Sequence, residues 1–284
     1  MASEHEHHHH HHHHDHHHHH GDPASASDQN KDYFNKEAAV YDAKHEKTLD
    51  QLIVEIRARL EFMGVDWVDE DGDEDGDGDE NEDGGGETKK EKGAARGKSV
   101  RLLDYACGTG VVSRALAPYT TQCVGVDLSE NMVVAYNARA ENQGLSPSEM
   151  RAYQGNLCST DDPSPAAFAD PKFFGFDVAV VGLGFHHFED PALAARRLAE
   201  RLRVGGVLVV LDFLPHGEPD PSHPATSTIT HHGFSEGQIR RIYEDAGVGK
   251  DFALQEMATV SFNVGGEYKA DKKRRIFMAR GVKA

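Results

Sequence analysis

The sequence predicts an α/β fold with a mostly parallel sheet and helices on both faces, on three observations. A mostly apolar run at residues 100–103, interrupted by Arg101, ends at Asp104 and leads through a glycine turn into a segment that suits a helix. Strand-sized apolar segments then alternate with helix-like segments as far as Ala246, as a parallel sheet requires. Two strand-like segments close the chain, and the turn between them predicts an antiparallel edge.

Composition divides the chain into four parts. Residues 1–30 form a histidine-rich tail, since positions 5–20 hold 14 of the 21 histidines, and we expect this tail to be disordered. Residues 31–63 form an N-terminal helical segment. Residues 64–98 form an acidic and glycine-rich insertion that is also expected to be disordered. Residues 99–284 are left as the folded domain.

The formal net charge of −18 overstates the acidity of the folded part, because residues 66–87 contain 13 acidic residues and no Lys or Arg. No basic patch remains for nucleic acid or a membrane, and no apolar segment is long enough to span one. Three cysteines without zinc-type spacing indicate a reducing compartment, so we expect a cytoplasmic protein, with nuclear entry also open. Residues 71–82 match a calcium-loop pattern, but the following glycines cannot supply its exit helix, so we predict no metal site.

The N-terminal segment contains one apolar stripe at helical spacing, which predicts a single helix that packs on the domain. Two tyrosines, Tyr33 and Tyr41, precede or begin this helix. They either help to pack the segment or lie on a lid over the glycine turn. The stripe consists of Leu49, Leu52, Ile53, Ile56, Leu60 and Met63.

Polar and small residues follow three further predicted strands. In a parallel sheet, the loops at these carboxyl ends of the strands form the ligand-binding site. The second strand, residues 122–126, ends at Asp127 and is followed by Ser129, an N-cap for the next helix. The third strand, residues 151–154, is followed by Gly155-Asn156-Leu157. The fourth, residues 176–181, is followed by Gly182-Leu183-Gly184-Phe185-His186-His187-Phe188, before Asp190 and Pro191 start a helix.

The rest of the chain has equally clear boundaries. Residues 206–213 read as the fifth strand. Ser235 and Gln238 form a capping box at the start of the next helix, with Phe234 and Ile239 as its hydrophobic staple. Residues 252–262 and 275–279 form the closing pair of strands.

Two kinds of ligand compete for the glycine turn. A dinucleotide fingerprint needs a third glycine where Ser113 stands, and an acid such as Asp127 can hold ribose hydroxyls in either case. Asp104 distinguishes the two kinds of ligand, because a carboxylate at the mouth of the turn would repel a pyrophosphate and suits an ammonium or sulfonium group.

Four stretches together resemble the class I S-adenosylmethionine-dependent methyltransferases, in particular the small-molecule type of ubiquinone and menaquinone biosynthesis. The resemblance extends over residues 32–281 without the insertion and implies a Rossmann-like seven-stranded sheet whose last strand is antiparallel. The stretches are Asp104-Tyr105-Ala106-Cys107-Gly108-Thr109-Gly110, Val124-Gly125-Val126-Asp127-Leu128-Ser129, His186-His187-Phe188-Glu189-Asp190-Pro191 and Leu202-Arg203-Val204-Gly205-Gly206.

The resemblance also implies a cofactor, S-adenosyl-L-methionine, and roles for individual residues. Gly108 and Gly110 would pass under its methionyl part, Asp104 would lie near its ammonium group, and Asp127 would hold its ribose. Leu128 and Met132 would flank the adenine. Asn156 replaces the usual acid at the adenine amino group, and its carbonyl oxygen could still accept that hydrogen bond. The remaining predicted contacts are Ala106, which replaces a frequent glycine, Cys107, Leu157 and Leu183, with Tyr33 and Tyr41 on the lid.

Histidines are the candidate catalytic residues, because a general base is needed when the acceptor is protonated. His186 and His187 follow the fourth strand, where the acceptor should approach; alternatively, one ring packs against Phe185 or Phe188. Asp212 could converge with histidines of the following loop to bind a metal or act as a base, or this loop could be mobile with exposed histidines. These are His216, His223, His231 and His232.

The leading hypothesis is a methyltransferase that transfers a methyl group from S-adenosylmethionine to a small-molecule acceptor by direct displacement. The partners expected are this acceptor, and neither nucleic acid nor membrane. One alternative is an NAD(P)-dependent oxidoreductase. Others are a non-catalytic cofactor-binding regulator that works through the acidic insertion, or a protein methyltransferase.

Overall fold

A computed structural model describes residues 25–68, 98–217, 224–261 and 273–284 as seven strands in one sheet with helices on both faces. The strand order is β3-β2-β1-β4-β5-β7-β6, with all neighbours parallel except β7, which is antiparallel to both β5 and β6. The predicted fold class is confirmed. The strands are β1 (Arg101–Tyr105), β2 (Gln122–Asp127), β3 (Met150–Gln154), β4 (Phe176–Gly182), β5 (Leu202–Phe213), β6 (Lys250–Ser261) and β7 (Lys273–Val282).

Each face of the sheet carries its own hydrophobic cluster. Leu102 and Leu103 are adjacent in β1, are both completely buried, and belong to opposite clusters, as expected for a central strand covered on both sides. Helices α2, α4 and α5 cover one face, and α6 and α7 the other. No helix in the described part of the chain is long and apolar enough to cross a membrane. The helices are α1 (Ala26–Glu37), α2 (Tyr41–Arg57), α3 (Leu60–Met63), α4 (Val111–Leu116), α5 (Glu130–Asn142), α6 (Pro191–Arg201) and α7 (Glu236–Asp245).

The predicted helix starts are confirmed by their caps. The Ser129 hydroxyl accepts a hydrogen bond from the backbone of α5, and the Asp190 carboxylate does the same for α6. Ser235 and Gln238 form the complete capping box at the start of α7. Since a cap stabilises a helix by about 1 kcal/mol, these residues fix where each helix begins.

The prediction of one continuous helix through the apolar stripe is wrong. Helix α2 ends at Arg57, whose guanidinium donates hydrogen bonds to the carbonyls of Arg114 and Ala115 near the end of α4. At Arg59 the backbone leaves the helical region (φ −123°, ψ 21°), and α3 starts one residue later. The stripe still packs inward, because Met63 of α3 is completely buried. Helical spacing therefore identified the buried face but not the break.

Two predicted boundaries of disorder are also wrong. Helix α1 begins at Ala26, inside the predicted tail, because the Ser25 hydroxyl caps it by accepting from the Asp28 N–H. Val65 and Trp67, inside the predicted insertion, pack against the core, and the Trp67 indole donates to the Leu60 carbonyl. The rest of the tail and of the insertion, including the calcium-loop pattern, lies outside the described residues.

Candidate ligand-binding site

A cavity opens at the carboxyl ends of the central strands; its empty space, including the part that is open to solvent, is about 1310 Å³. It lies where the strand order reverses between β1 and β4, the position at which open α/β sheets bind their ligands. Most predicted site residues lie on its wall. These are Tyr41, Ala106, Cys107, Gly108, Asp127, Leu128, Met132, Asn156, Leu183 and His187.

The two glycines of the turn are needed for different reasons. Gly108 lines the cavity with φ +51°, and a Cβ atom there would meet nothing within 4 Å, so a ligand has room to lie against the backbone. Gly110, with φ +92°, does not line the cavity; a Cβ atom there would lie 2.7 Å from the Tyr136 ring. The prediction that Gly110 contacts the ligand is therefore wrong, since it serves the packing of α5.

Asp127 is held rigidly at the cavity wall. Its Oδ2 accepts a hydrogen bond from the Gly108 N–H at 2.8 Å, and its Oδ1 accepts one from the Ser129 N–H at 2.8 Å. Burial raises the pKa of this carboxyl above its ordinary value, although both hydrogen bonds oppose the shift. Burying the charged carboxylate costs free energy. A ligand that donates hydrogen bonds to it, as a ribose diol does, would offset this cost.

The prediction that Asp104 lies at the mouth of the turn is wrong. Its side chain is 1% exposed, does not line the cavity, and accepts from both the N–H and the hydroxyl of Ser113, at 3.0 and 2.7 Å. The Tyr136 hydroxyl donates to the Ser113 hydroxyl in turn. Burial raises the pKa of Asp104 to about 7. This carboxyl binds the first turn of α4 beneath the glycines, and Ser113 is its partner.

Asn156 lines the cavity, but its carbonyl oxygen is already used. Oδ1 accepts from the Cys158 N–H at 2.8 Å and from the Tyr105 hydroxyl at 3.1 Å. The fixed Cys158 donor identifies this atom as the oxygen, so the amide Nδ2 is left to face a ligand. Leu157 is 2% exposed and is not part of the wall, which makes its predicted cofactor contact wrong.

Helix α1 crosses the mouth of the cavity from one loop to another. At one end, the Asn35 Oδ1 accepts from the Ser129 hydroxyl and the Asn131 N–H. Nearer the start of the helix, the Asn30 side chain donates to the His187 carbonyl at 3.2 Å. The helix therefore joins the loop after β2 to the loop after β4.

The aromatic residues of this lid are only partly as predicted. Tyr41 lines the cavity, whereas Tyr33 does not, and its predicted contact is wrong. Phe34, one residue along, lies on the wall instead, with Tyr33 packed edge-on against it at 5.2 Å between ring centroids. Neighbouring side chains on a helix point about 100° apart. The presence of tyrosines in the segment could therefore not show which side chain faces the cavity.

The start of α2 is fastened directly to the glycine turn. The Thr109 hydroxyl donates to Asp42 at 2.6 Å, and Arg139 of α5 pairs with the same carboxylate while donating to the Thr109 carbonyl at 3.0 Å. Sequence reasoning missed these residues, because 67 positions separate Asp42 from Thr109 and nothing local marks their contact.

His187 is the histidine that reaches the cavity. Its Nδ1 lies 2.7 Å from the Thr228 carbonyl, so Nδ1 carries the proton and Nε2 keeps its lone pair. Burial and the neighbouring His186 ring lower the pKa of His187 to about 3. The imidazole is therefore neutral at physiological pH and a weak base.

His186, Asp212 and His232, which were predicted as catalytic residues, do not line the cavity. His186 and Asp212 are buried, and the two carboxylate oxygens lie 2.9 and 3.1 Å from the His186 Nδ1. Asp212 also accepts from the His186 backbone N–H at 3.0 Å, so this pair holds the turn that presents His187.

Among the described residues, the histidine that contacts Asp212 is His186, which is not one of the four loop histidines predicted to converge there. His232 is exposed, its ring 6.2 Å from that of His216, and the ring of His231 binds the Phe188 carbonyl at 3.1 Å. His223 lies outside the described residues. Within those that are described, no group of three or more His, Cys, Asp or Glu residues is arranged to hold a metal ion.

Comparisons with known proteins agree with this geometry. Residues 103–208 match the family model described as a methyltransferase domain. An uncharacterized methyltransferase of Schizosaccharomyces pombe is 31% identical over 151 residues, which are 51% of this chain and 52% of that protein. Demethylmenaquinone methyltransferase of Thermus thermophilus is 32% identical over 117 residues, 40% of this chain and 48% of that protein. The chain thus spans about half the length of the curated relatives it matches.

A solved structure supports the fold. It is the complex between the Haloferax volcanii Trm112 methyltransferase activator and a methyltransferase, with a TM-score of 0.54 at 16% identity, covering 88% of this chain and 96% of that chain. At this identity the likeness supports the shared architecture alone. With the matched family model, the sheet order and the position of the cavity, it leads to one assignment: the chain contains a methyltransferase domain on a Rossmann-like sheet, similar to the domain of the demethylmenaquinone methyltransferases.

Proposed function

We propose that the protein binds S-adenosylmethionine in this cavity and transfers the methyl group to a small-molecule acceptor. The observation that carries the proposal is the pairing of Gly108 with Asp127, a bare backbone beside an oriented carboxylate at the switch point of the sheet. The matched methyltransferase domain supports the same chemistry.

The residues present fit this cofactor. Gly108 leaves space where any side chain would intrude, and Asp127 offers hydrogen-bond acceptors suited to ribose hydroxyls. Leu128 and Met132 supply an apolar wall for an adenine ring, and Tyr41 closes the cavity from the lid. When bound, the cofactor supplies a methyl group on a positively charged sulfur.

The protein's own contribution is to align the acceptor and exclude water. Helix α1 and the start of α2 cover the cavity and are tied to its rim through Asn30, Asn35 and Asp42. Because the leaving sulfur departs neutral, no developing oxyanion needs stabilisation. Fixed alignment can contribute several kcal/mol to such a displacement.

The acceptor class rests on two supports. Residues of the lid line the cavity, which suits a small molecule, and one relative is named for a small molecule, demethylmenaquinone. We extend the proposal to a cytoplasmic location, because three free cysteines suit a reducing compartment. We also propose that neither nucleic acid nor a membrane is a partner, because the sequence of the folded part contains no run of basic residues.

The test is to incubate the purified protein with methyl-labelled S-adenosylmethionine and a cell extract, and to follow the label into metabolite, protein and RNA fractions. Label in a metabolite is the expected result. Label in the protein fraction alone would replace the proposal with a protein methyltransferase. Cofactor binding without any labelled product would replace it with a non-catalytic regulator.

A further inference from the structure

Asn30 is a buried polar residue with an unused acceptor on the cavity wall. Its side chain is 8% exposed, and its Nδ2 donates to the His187 carbonyl at 3.2 Å. Since a carbonyl only accepts, this bond fixes which end of the amide is the oxygen. The Oδ1 is enclosed and has no hydrogen-bond partner among the described residues. An unpaired buried acceptor destabilises the protein, and a donor on the ligand would remove this cost.

His187 supplies a second acceptor on the cavity wall. Its Nδ1 proton is committed to the Thr228 carbonyl at 2.7 Å, so its Nε2 can only accept. The Asn30 side chain is bonded to the backbone of this same residue. Asn30 on α1 and His187 on the loop after β4 both line the cavity, so its wall carries two side-chain acceptors that suit a ligand that donates.

The ionisable groups of the wall restrict which nucleophile can react. Burial raises the pKa of Tyr41 and of Cys158 to about 12, and it raises those of Tyr105 and Cys107 above their ordinary values. These groups stay protonated at neutral pH, and neutral His187 is a poor base. A hydroxyl acceptor, which must lose its proton to react, finds no suitable base among these groups. The three carboxylates of the wall, Asp127, Glu189 and Asp190, each already accept a hydrogen bond from a backbone N–H.

An amine in its free-base form needs no such base, because it already carries a lone pair and its N–H groups can donate. The rim also carries two exposed carboxylates, Glu189 and Asp190, which would attract a positively charged amine from solution. Such an amine loses its proton to water before its lone pair can react. The one cation on the wall, within the described residues, is Lys31, and it is paired with Glu130 at 2.8 Å.

We propose that the acceptor is an amine, and that Asn30 Oδ1 and His187 Nε2 accept hydrogen bonds from its N–H groups and so aim its lone pair. Asn30 is then a specificity residue, and this inference rests on the proposed function. The nitrogen lone pair forms the C–N bond as the bond between methyl carbon and sulfur breaks. The bonding pair leaves with the sulfur, and the methylated nitrogen loses a proton to water.

The first test is to determine by tandem mass spectrometry which atom carries the label in the metabolite found above. Methylation on nitrogen is expected. Methylation on oxygen, carbon or sulfur would overturn the inference while leaving the proposed function intact. Cofactor binding without any product would contradict both the proposed function and this inference.

The second test measures binding of that acceptor by isothermal titration in the presence of S-adenosylhomocysteine, so that no turnover occurs. Asn30→Ala should raise the acceptor Kd about five- to tenfold, the loss of one hydrogen bond. Asn30→Asp loses the same bond to the His187 carbonyl but keeps the acceptor oxygens, so its Kd should be no higher than that of the wild type.

A purely structural role for Asn30 predicts the opposite pattern. If Asn30→Asp weakens acceptor binding as much as Asn30→Ala does, the residue only docks α1 and the inference is wrong. The Kd for S-adenosylhomocysteine and the unfolding midpoint are measured for both variants, because both must be folded for the comparison to hold.

Discussion

Two aspartates one strand apart show how a residue's surroundings decide its role. Asp127 and Asp104 both end an apolar strand, yet one faces the cavity and the other lies buried under the glycine turn. The sequence identifies both as polar residues at strand ends. It does not show that Asp104 would be satisfied by Ser113, because this pairing depends on how closely α4 approaches the end of β1.

The buried Asp104 should make stability depend on pH. Its pKa in the folded protein is about 7, above the 3.8 of an ordinary aspartate, so the folded state holds a proton that the unfolded state has lost. The contribution to stability is complete below about pH 4 and falls as pH rises toward 7. Between pH 5 and 7 the free energy of unfolding of the wild type should fall by about 2 kcal/mol relative to that of Asp104→Asn.

Urea unfolding of both proteins at several pH values measures this difference. Other titrating groups contribute equally to both proteins and cancel in the comparison. A difference between wild type and variant that does not change from pH 5 to 7 would show that Asp104 has an ordinary pKa.

Ala106 should be a strained position in the wall of the cavity. Its φ of +56° lies in the left-handed region, which costs a residue with a Cβ atom about 1–2 kcal/mol. Ala106→Gly relieves this strain but adds freedom to the unfolded chain, so we expect a net gain of up to about 1 kcal/mol. Thermal unfolding measures it, with Ala58→Gly as the control.

Ala58 has an ordinary helical φ of −64° and is exposed, so its replacement by glycine should destabilise the protein. Equal destabilisation by both substitutions would mean that Ala106 is not strained.

At the scale of elements, local signals predicted where helices begin better than where they end or break. Ser129, Asp190 and Ser235 each mark a helix start through a side-chain hydrogen bond to the backbone three residues on, which the sequence encodes directly. The break between α2 and α3 is set by Arg57, which binds carbonyls of α4. That contact is long-range and has no local signature.

Helix α1 should be held over the cavity chiefly by Asn35. Asn35→Ala removes the hydrogen bonds to Ser129 and Asn131, which each contribute about 1 kcal/mol. Amide hydrogen exchange in residues 26–37 should therefore become roughly tenfold faster or more, with exchange in α7 unchanged.

Lys31→Ala is the matched control, because Lys31 also links α1 to α5, through an ion pair with Glu130 whose side chain is 59% exposed. Such surface pairs contribute little, so exchange in α1 should stay within about twofold of the wild type. If the two variants behave alike, Asn35 does not anchor the helix.

At the scale of the whole molecule, the mostly parallel sheet and the presence of an N-terminal lid could be predicted, but the contacts that hold the lid could not. The alternation of strands and helices, with a glycine turn after the first strand, leads to a parallel sheet and places the ligand site at its carboxyl edge. The contacts of α1 and α2 with that edge join residues far apart in the sequence, such as Asp42 and Thr109. Composition could also not show that Trp67 belongs to the core.

The acidic insertion should be dispensable for cofactor binding. Its two flanks are anchored close together, since Lys98 pairs with Asp66 at 2.5 Å and the Val68 N–H donates to the Tyr119 carbonyl. Replacing residues 69–97 with a short glycine-serine linker should leave the Kd for S-adenosylmethionine within about twofold. A large loss of affinity would give the insertion a direct part in the site.

The central claim is that the cavity at Gly108 and Asp127 binds S-adenosylmethionine. Isothermal titration of the wild type, Asp127→Ala and the control Asp170→Ala with S-adenosylmethionine and with NADH tests it most directly. Asp170 is an exposed helix-capping aspartate away from the cavity. We predict binding of S-adenosylmethionine that Asp127→Ala weakens at least tenfold, as expected for two lost hydrogen bonds, and that Asp170→Ala leaves unchanged. Tighter binding of NADH, or binding of S-adenosylmethionine that Asp127→Ala does not weaken, would contradict the account.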